Sequence, residues 1–113
     1  MYIGEASKIT GLSIKSIRFY EAQGVIPAPA RRGNYRVYSH TDIELLTLIR
    51  ETREMGLSVA QIKEIIRTSD GKVNWPKIKV WLVDMRKLLI NQIEDLQKKV
   101  KLLDECYVQI KSQ

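Results

Sequence analysis

Only one cysteine, Cys106, and one histidine, His40, occur in 113 residues. A single thiol excludes a disulfide framework within the chain, and two such residues cannot build a zinc site. No metal site and no cofactor are therefore expected. With no ordered carboxylate pair beside that lone histidine, acid–base catalysis has no constellation to use, and the chain does not read as an enzyme. There is no apolar leader behind the opening MYIGEASK and no run of 18 apolar residues anywhere. Neither a secretory signal nor a membrane span is expected, and the cytoplasm is the natural compartment.

Apolar residues make up 44% and charged residues 28%, an ordinary globular composition in which one modest core can form. The net charge of +6 favours a polyanionic partner. Its distribution is more telling than its total. Residues 1–38 hold six Lys/Arg against two Glu, a balance of +4, while residues 39–74 stand at −1 and residues 75–113 at +3.

Glycine marks the segment ends. Gly11, Gly24, Gly56 and Gly71 each follow a helical pattern, where a left-handed residue closes a helix at no steric cost. The first helix is predicted over about Ile3–Thr10 with Ile3, Ala6 and Ile9 on one side, and the second over Ser13–Gln23 with Ile14, Ile17 and either Phe19 or Tyr20 inward. Pro27 and Pro29 then favour extended backbone. Gly33-Asn34, between Arg31-Arg32 and Tyr35-Arg36-Val37-Tyr38, predicts a two-residue type II′ turn and a short hairpin. The third and fourth helices are expected near Thr41–Met55 and Val59–Thr68. Ser39…Asp42 and Ser58…Gln61 have capping-box spacing at their starts. The order of elements predicts a mostly α fold: a winged helix-turn-helix body over 1–74 and a long helix over 75–113.

After Pro76 neither glycine nor proline interrupts the chain as far as Lys111. About 36 helical residues would span roughly 54 Å, too long to fold onto so small a body. Leu82, Met85, Leu89, Leu96, Val100, Leu103, Tyr107 and Ile110 step by four and three, with Ile93 bridging the break at Gln92. Such a seam needs a partner helix, and the simplest partner is a second copy about a two-fold axis.

A helix-turn-helix followed by a basic hairpin is a device for holding a helix in a DNA groove. Arg18 is the leading base-reading candidate, since a guanidinium can grip guanine with two hydrogen bonds. Lys15 and Tyr20 suit phosphate or base. Ser13 and Ser16 stand at a helix N-terminus that favours phosphate. Arg31, Arg32 and Arg36 can reach the flanking backbone or minor groove, and Tyr35 and Tyr38 can donate hydrogen bonds. Either tyrosine can instead fill the space beneath the wing.

The segment Ile3–Ile66 resembles the N-terminal region of the MerR family of bacterial transcription regulators. Ile17-Arg18-Phe19-Tyr20-Glu21, Gly24-Val25-Ile26, Tyr35-Arg36-Val37-Tyr38 and Met55-Gly56-Leu57-Ser58 carry the likeness. The helix from Trp75 is similar to that family's antiparallel coiled-coil dimerisation helix. The resemblance implies a homodimer on a pseudo-palindrome between widely spaced promoter elements, distorting the double-stranded DNA so that RNA polymerase can use it. It places Arg18, Tyr20, Tyr35, Arg36 and Tyr38 at positions the family uses for DNA contact.

The family's sensing residues do not carry over. Metal-responsive members place a ligand near Trp75 and cysteines in a loop beyond the long helix, whereas Cys106 falls within the helix. Thiol-responsive members carry a cysteine where this chain has Glu51. Cys106, beside Leu103 and Tyr107, reads as a small flanking residue, and His40 as part of the cap of the third helix. Trp75 and Trp81 could line a pocket but are the kind of residue that forms core. Two other readings stay open: an architectural DNA-binding protein without inducible activation, and an interaction module whose long helix binds a different chain.

Overall fold

The computed structural model describes residues 1–66 and 73–111. The order of elements is α1 (Ile3–Thr10), α2 (Ile14–Ala22), β1 (Ala30–Arg32), β2 (Tyr35–Val37), α3 (His40–Glu54), α4 (Val59–Ile66) and α5 (Trp75–Gln109). The chain divides into two compact units, Met1–Asn74 and Trp75–Gln113. The glycine stop at Gly71 and the end of the fourth helix at Thr68 lie outside the described residues.

In the first unit, local chemistry sets the element boundaries. Gly11 closes α1 with φ at 76°, and its N–H donates to the Ser7 carbonyl. A Cβ there would also meet the Arg50 side chain at 3.3 Å, so both conformation and space call for glycine. Ser13 caps α2, its hydroxyl accepting from the Ser16 N–H at 3.0 Å. Both expected capping boxes form. Ser39 Oγ accepts from the Asp42 N–H while the Asp42 carboxylate accepts from the Ser39 N–H, and Ser58 and Gln61 make the same exchange.

The hairpin is antiparallel, with Arg31 opposite Arg36 and Arg32 opposite Tyr35, leaving Gly33-Asn34 as the loop. Gly33 has φ at 63° and no non-glycine residue has positive φ among those described. That excludes type I′ and agrees with type II′.

α3 packs against α1 and α4, and α1 against α2. Ile43, Leu45, Leu46 and Ile49 of α3 are buried, as are Ala6 of α1, Ile17 of α2 and Ile62 of α4, and Val25, Ile26 and Leu57 between the helices are buried with them. Two inward assignments are corrected. Ile9 is 55% exposed and Ile14 is also exposed, while Thr10 is buried instead. Ala6 and Thr10 are one helical turn apart and define the buried face of α1, so Ile9 is turned away. The Thr10 hydroxyl tolerates burial because it donates to the Ala6 carbonyl and accepts from the Leu12 N–H. On α2 it is Tyr20 that turns inward, and Phe19 is exposed.

The second unit is a single helix of 35 residues, about 52 Å long. Every described residue from Asn91 onward is exposed, including Ile93, Leu96, Val100, Leu103, Tyr107 and Ile110. Leu82 and Leu89 are exposed as well, and Met85 is half-buried. Among the described residues no helix is long and apolar enough to cross a membrane.

Candidate nucleic-acid interface

α2 presents its outward face through Lys15 and Arg18, both exposed, because Ile17 and Tyr20 occupy the opposite face three residues apart. At its start, Ser13 and Ser16 are joined hydroxyl to hydroxyl at 2.9 Å on the surface. Neither Arg18 nor Lys15 forms an ion pair among the described residues, which leaves both cations uncommitted.

The wing lies beside this face. Tyr2, Ile3, Arg18, Asn34, Tyr35 and Arg36 line one open groove, bringing together the start of α1, the middle of α2 and the tip of the hairpin. Tyr35 is exposed and its ring lies 5.8 Å from that of Tyr2. The backbone of Met1 holds Tyr2 there. The Tyr38 N–H donates to the Met1 carbonyl at 2.7 Å, and the Met1 nitrogen donates to the Tyr38 carbonyl at 3.2 Å. Nothing in the composition or periodicity marks Tyr2, since this contact joins residues 37 positions apart.

Arg31 and Arg32 are exposed and likewise form no ion pair among the described residues. Arg36 does form one. Its Nε donates to Glu21 Oε1 at 2.7 Å, and Tyr38 Oη donates to Glu21 Oε2 at 3.4 Å. The hydrogen bond and the charge of Glu21 push the Arg36 pKa above its ordinary value. Burial pushes the Tyr38 hydroxyl up as well, and the nearby Glu21 carboxylate adds to it.

The ten side chains singled out in the sequence are thus not equivalent. Ser13, Lys15, Arg18, Arg31, Arg32 and Tyr35 are exposed, and Ser16 and Arg36 are half-buried. Tyr20 and Tyr38, at 8% and 2% exposed, sit in the core. Of the two roles open to each of these tyrosines, the structure places their rings in the packing beneath the surface. The Tyr20 ring meets Phe19 edge-on at 5.6 Å.

The match to a known family covers the segment that carries this geometry. Residues 1–69 fit the profile described as "MerR HTH family regulatory protein". The chain belongs to the MerR family.

A "Probable heavy metal-dependent transcriptional regulator" of Haemophilus influenzae is 41% identical over 109 residues, covering 95% of this chain and 85% of that one. A MerR-family transcriptional regulator from Listeria monocytogenes superimposes with a TM-score of 0.65 at 28% identity, over 95% of this chain and 83% of that one. HiNmlR, "a MerR family regulator lacking the sensor domain, bound to promoter DNA", has a TM-score of 0.63 at 22% identity. It covers 95% of this chain and 86% of that one, and it establishes the shared fold. This MerR-family chain is a transcription regulator and not an enzyme. Among its described residues no three of His, Cys, Asp and Glu gather into a metal-holding group, and Cys106 is exposed.

Proposed function

We propose that two copies of this MerR-family chain pair through α5 and bind a pseudo-palindromic promoter site. One α2 enters the major groove of each half-site, and each wing rests on the flanking backbone. The carrying observation is the groove that joins Arg18 of α2 to Asn34, Tyr35 and Arg36 of the wing, in the segment with the densest positive charge. The promoter DNA bound by HiNmlR, a protein of the same fold, supports this reading. In this reading the dimer bends or untwists its site, as the resemblance to the MerR family implies. The energy of binding is then spent on DNA shape, which changes how RNA polymerase meets its two elements. The protein would work in the cytoplasm, where that DNA lies.

A footprint on the promoter upstream of the protein's own gene tests this. Protection of a palindrome between widely spaced promoter elements, with a hypersensitive cut at its centre, is the expected pattern. Diffuse protection without a centre would favour the architectural role instead.

Within that footprint, Arg18→Ala is expected to cost about 1–3 kcal/mol and to relax preference at one base pair. Competition among single-base operator variants reads this out. An unchanged base preference with a shallower salt dependence would reassign Arg18 to phosphate.

A further inference from the structure

We propose that Glu21 is a positioning residue that locks the wing to the recognition helix, with Arg36 serving that lock rather than binding phosphate. This rests on the DNA-binding reading above, since positioning matters only if α2 and the wing meet one duplex.

The geometry is specific. Arg36 lies in β2 and Tyr38 is the first residue beyond its end. Each hydrogen-bonds a different oxygen of the same carboxylate. Glu21 itself is only 13% exposed in its side chain. It stands three residues after Arg18 on the same helix, so holding Glu21 against the wing also holds the turn of α2 that carries Arg18 beside it. A charge-assisted bond of 2.7 Å spanning 15 residues is the only ion pair among the described residues that joins two elements; the others lie within α3 or α5.

Charge explains why an acid belongs here. Arg31 faces Arg36 directly across the hairpin, and like charges in that register destabilise a pair of strands. Glu21 neutralises Arg36 from the helix side. It thereby leaves Arg31 and Arg32 as the wing's uncommitted cations. A lone carboxylate beside a DNA-reading arginine would otherwise repel phosphate.

The test uses the full chain with Glu21→Gln and Arg36→Gln, each checked by thermal melting. In free protein, tryptic cleavage after Arg31, Arg32 and Arg36 should be several-fold faster in Glu21→Gln, with the helical body still folded. The ratio of affinity for its own-promoter duplex over a random duplex of equal length should fall about tenfold, the scale of one lost base-specific contact. The salt dependence of random-duplex binding should steepen by about one phosphate as Arg36 is released, whereas Arg36→Gln should leave that slope unchanged. Glu21→Asp keeps the charge but shortens the arm, and it should loosen the wing in the same way.

Wild-type cleavage rates in both Glu21 variants would overturn the lock whatever happens on DNA. So would a slope made shallower by one phosphate in Arg36→Gln, which would make Arg36 a phosphate ligand. If wild-type protein does not prefer its own promoter while Glu21→Gln still loosens the wing, the DNA reading fails and the lock stands.

Discussion

Leu96→Lys combined with Leu103→Lys is expected to convert the proposed dimer to a monomer at micromolar concentration and to weaken promoter binding about 10²- to 10⁴-fold. The affinity loss follows from linkage: a dimer presents its second α2 to the second half-site at a high effective concentration, and a monomer does not. The dimer loss follows from burial. Leu96 and Leu103 belong to a stripe of nine apolar positions from Leu82 to Ile110, and both are exposed along a helix of 35 residues. Each apolar side chain fully removed from water contributes roughly 1.5–3 kcal/mol. Nine from each of two helices exceed the ~4–15 kcal/mol that association costs in lost freedom. Two lysines at the seam of each chain replace that gain with facing like charges. Sedimentation equilibrium gives the mass directly. A persistent dimer would defeat the seam, and a monomer with wild-type promoter affinity would defeat the two-half-site geometry.

The second large effect is expected from the body. Leu46→Ala should destabilise the Met1–Asn74 unit by about 2–5 kcal/mol, the range for deleting a fully buried leucine side chain. Leu46 has no exposed surface, and it lies on α3, which packs against both α1 and α4. Against a total of about 5–15 kcal/mol for a domain, that loss leaves a large unfolded fraction at moderate temperature. Urea unfolding followed by circular dichroism measures it. A shift below about 1 kcal/mol would mean that the neighbours collapse into the space and that the α3 core is looser than its burial implies. Phe19→Ala, an exposed change on α2, is the comparison: it leaves that core intact.

Much of the architecture is written in local chemistry. Both capping boxes, the glycine stop at Gly11 and the two-residue hairpin loop depend on residues within four positions of one another. Local spacing therefore predicts them, and the structure has them where expected. The length of α5 is equally legible, because the chain carries nothing to break a helix between Pro76 and Lys111. Its exposed stripe follows from a simple mismatch: a helix of that length has more apolar surface than one small chain can cover.

Where the residues of the first unit face was harder to read. Hydrophobicity assigns Ile9 to the core and Thr10 to the surface. The structure reverses them, because a hydrogen-bonded hydroxyl can be buried and helical phase decides the rest. Tyr20 and Tyr38 have the same composition cue as Tyr35, yet two are packed inward and one stands out over Tyr2.

Composition and local spacing were enough for the order of the elements, the caps and turns at Gly11, Ser13, Ser39, Ser58 and Gly33-Asn34, the basic character of the first 38 residues and the family. Each of these is a sum or a short-range pattern, and neither needs a partner far along the chain. Tertiary structure alone decided that Arg36 is committed to Glu21 and that Tyr2 joins the groove beside Arg18. Those facts depend on contacts between residues 15 and more positions apart. Which cation is free and which is held is settled by where a folded carboxylate stands, and no spacing along the chain encodes that distance.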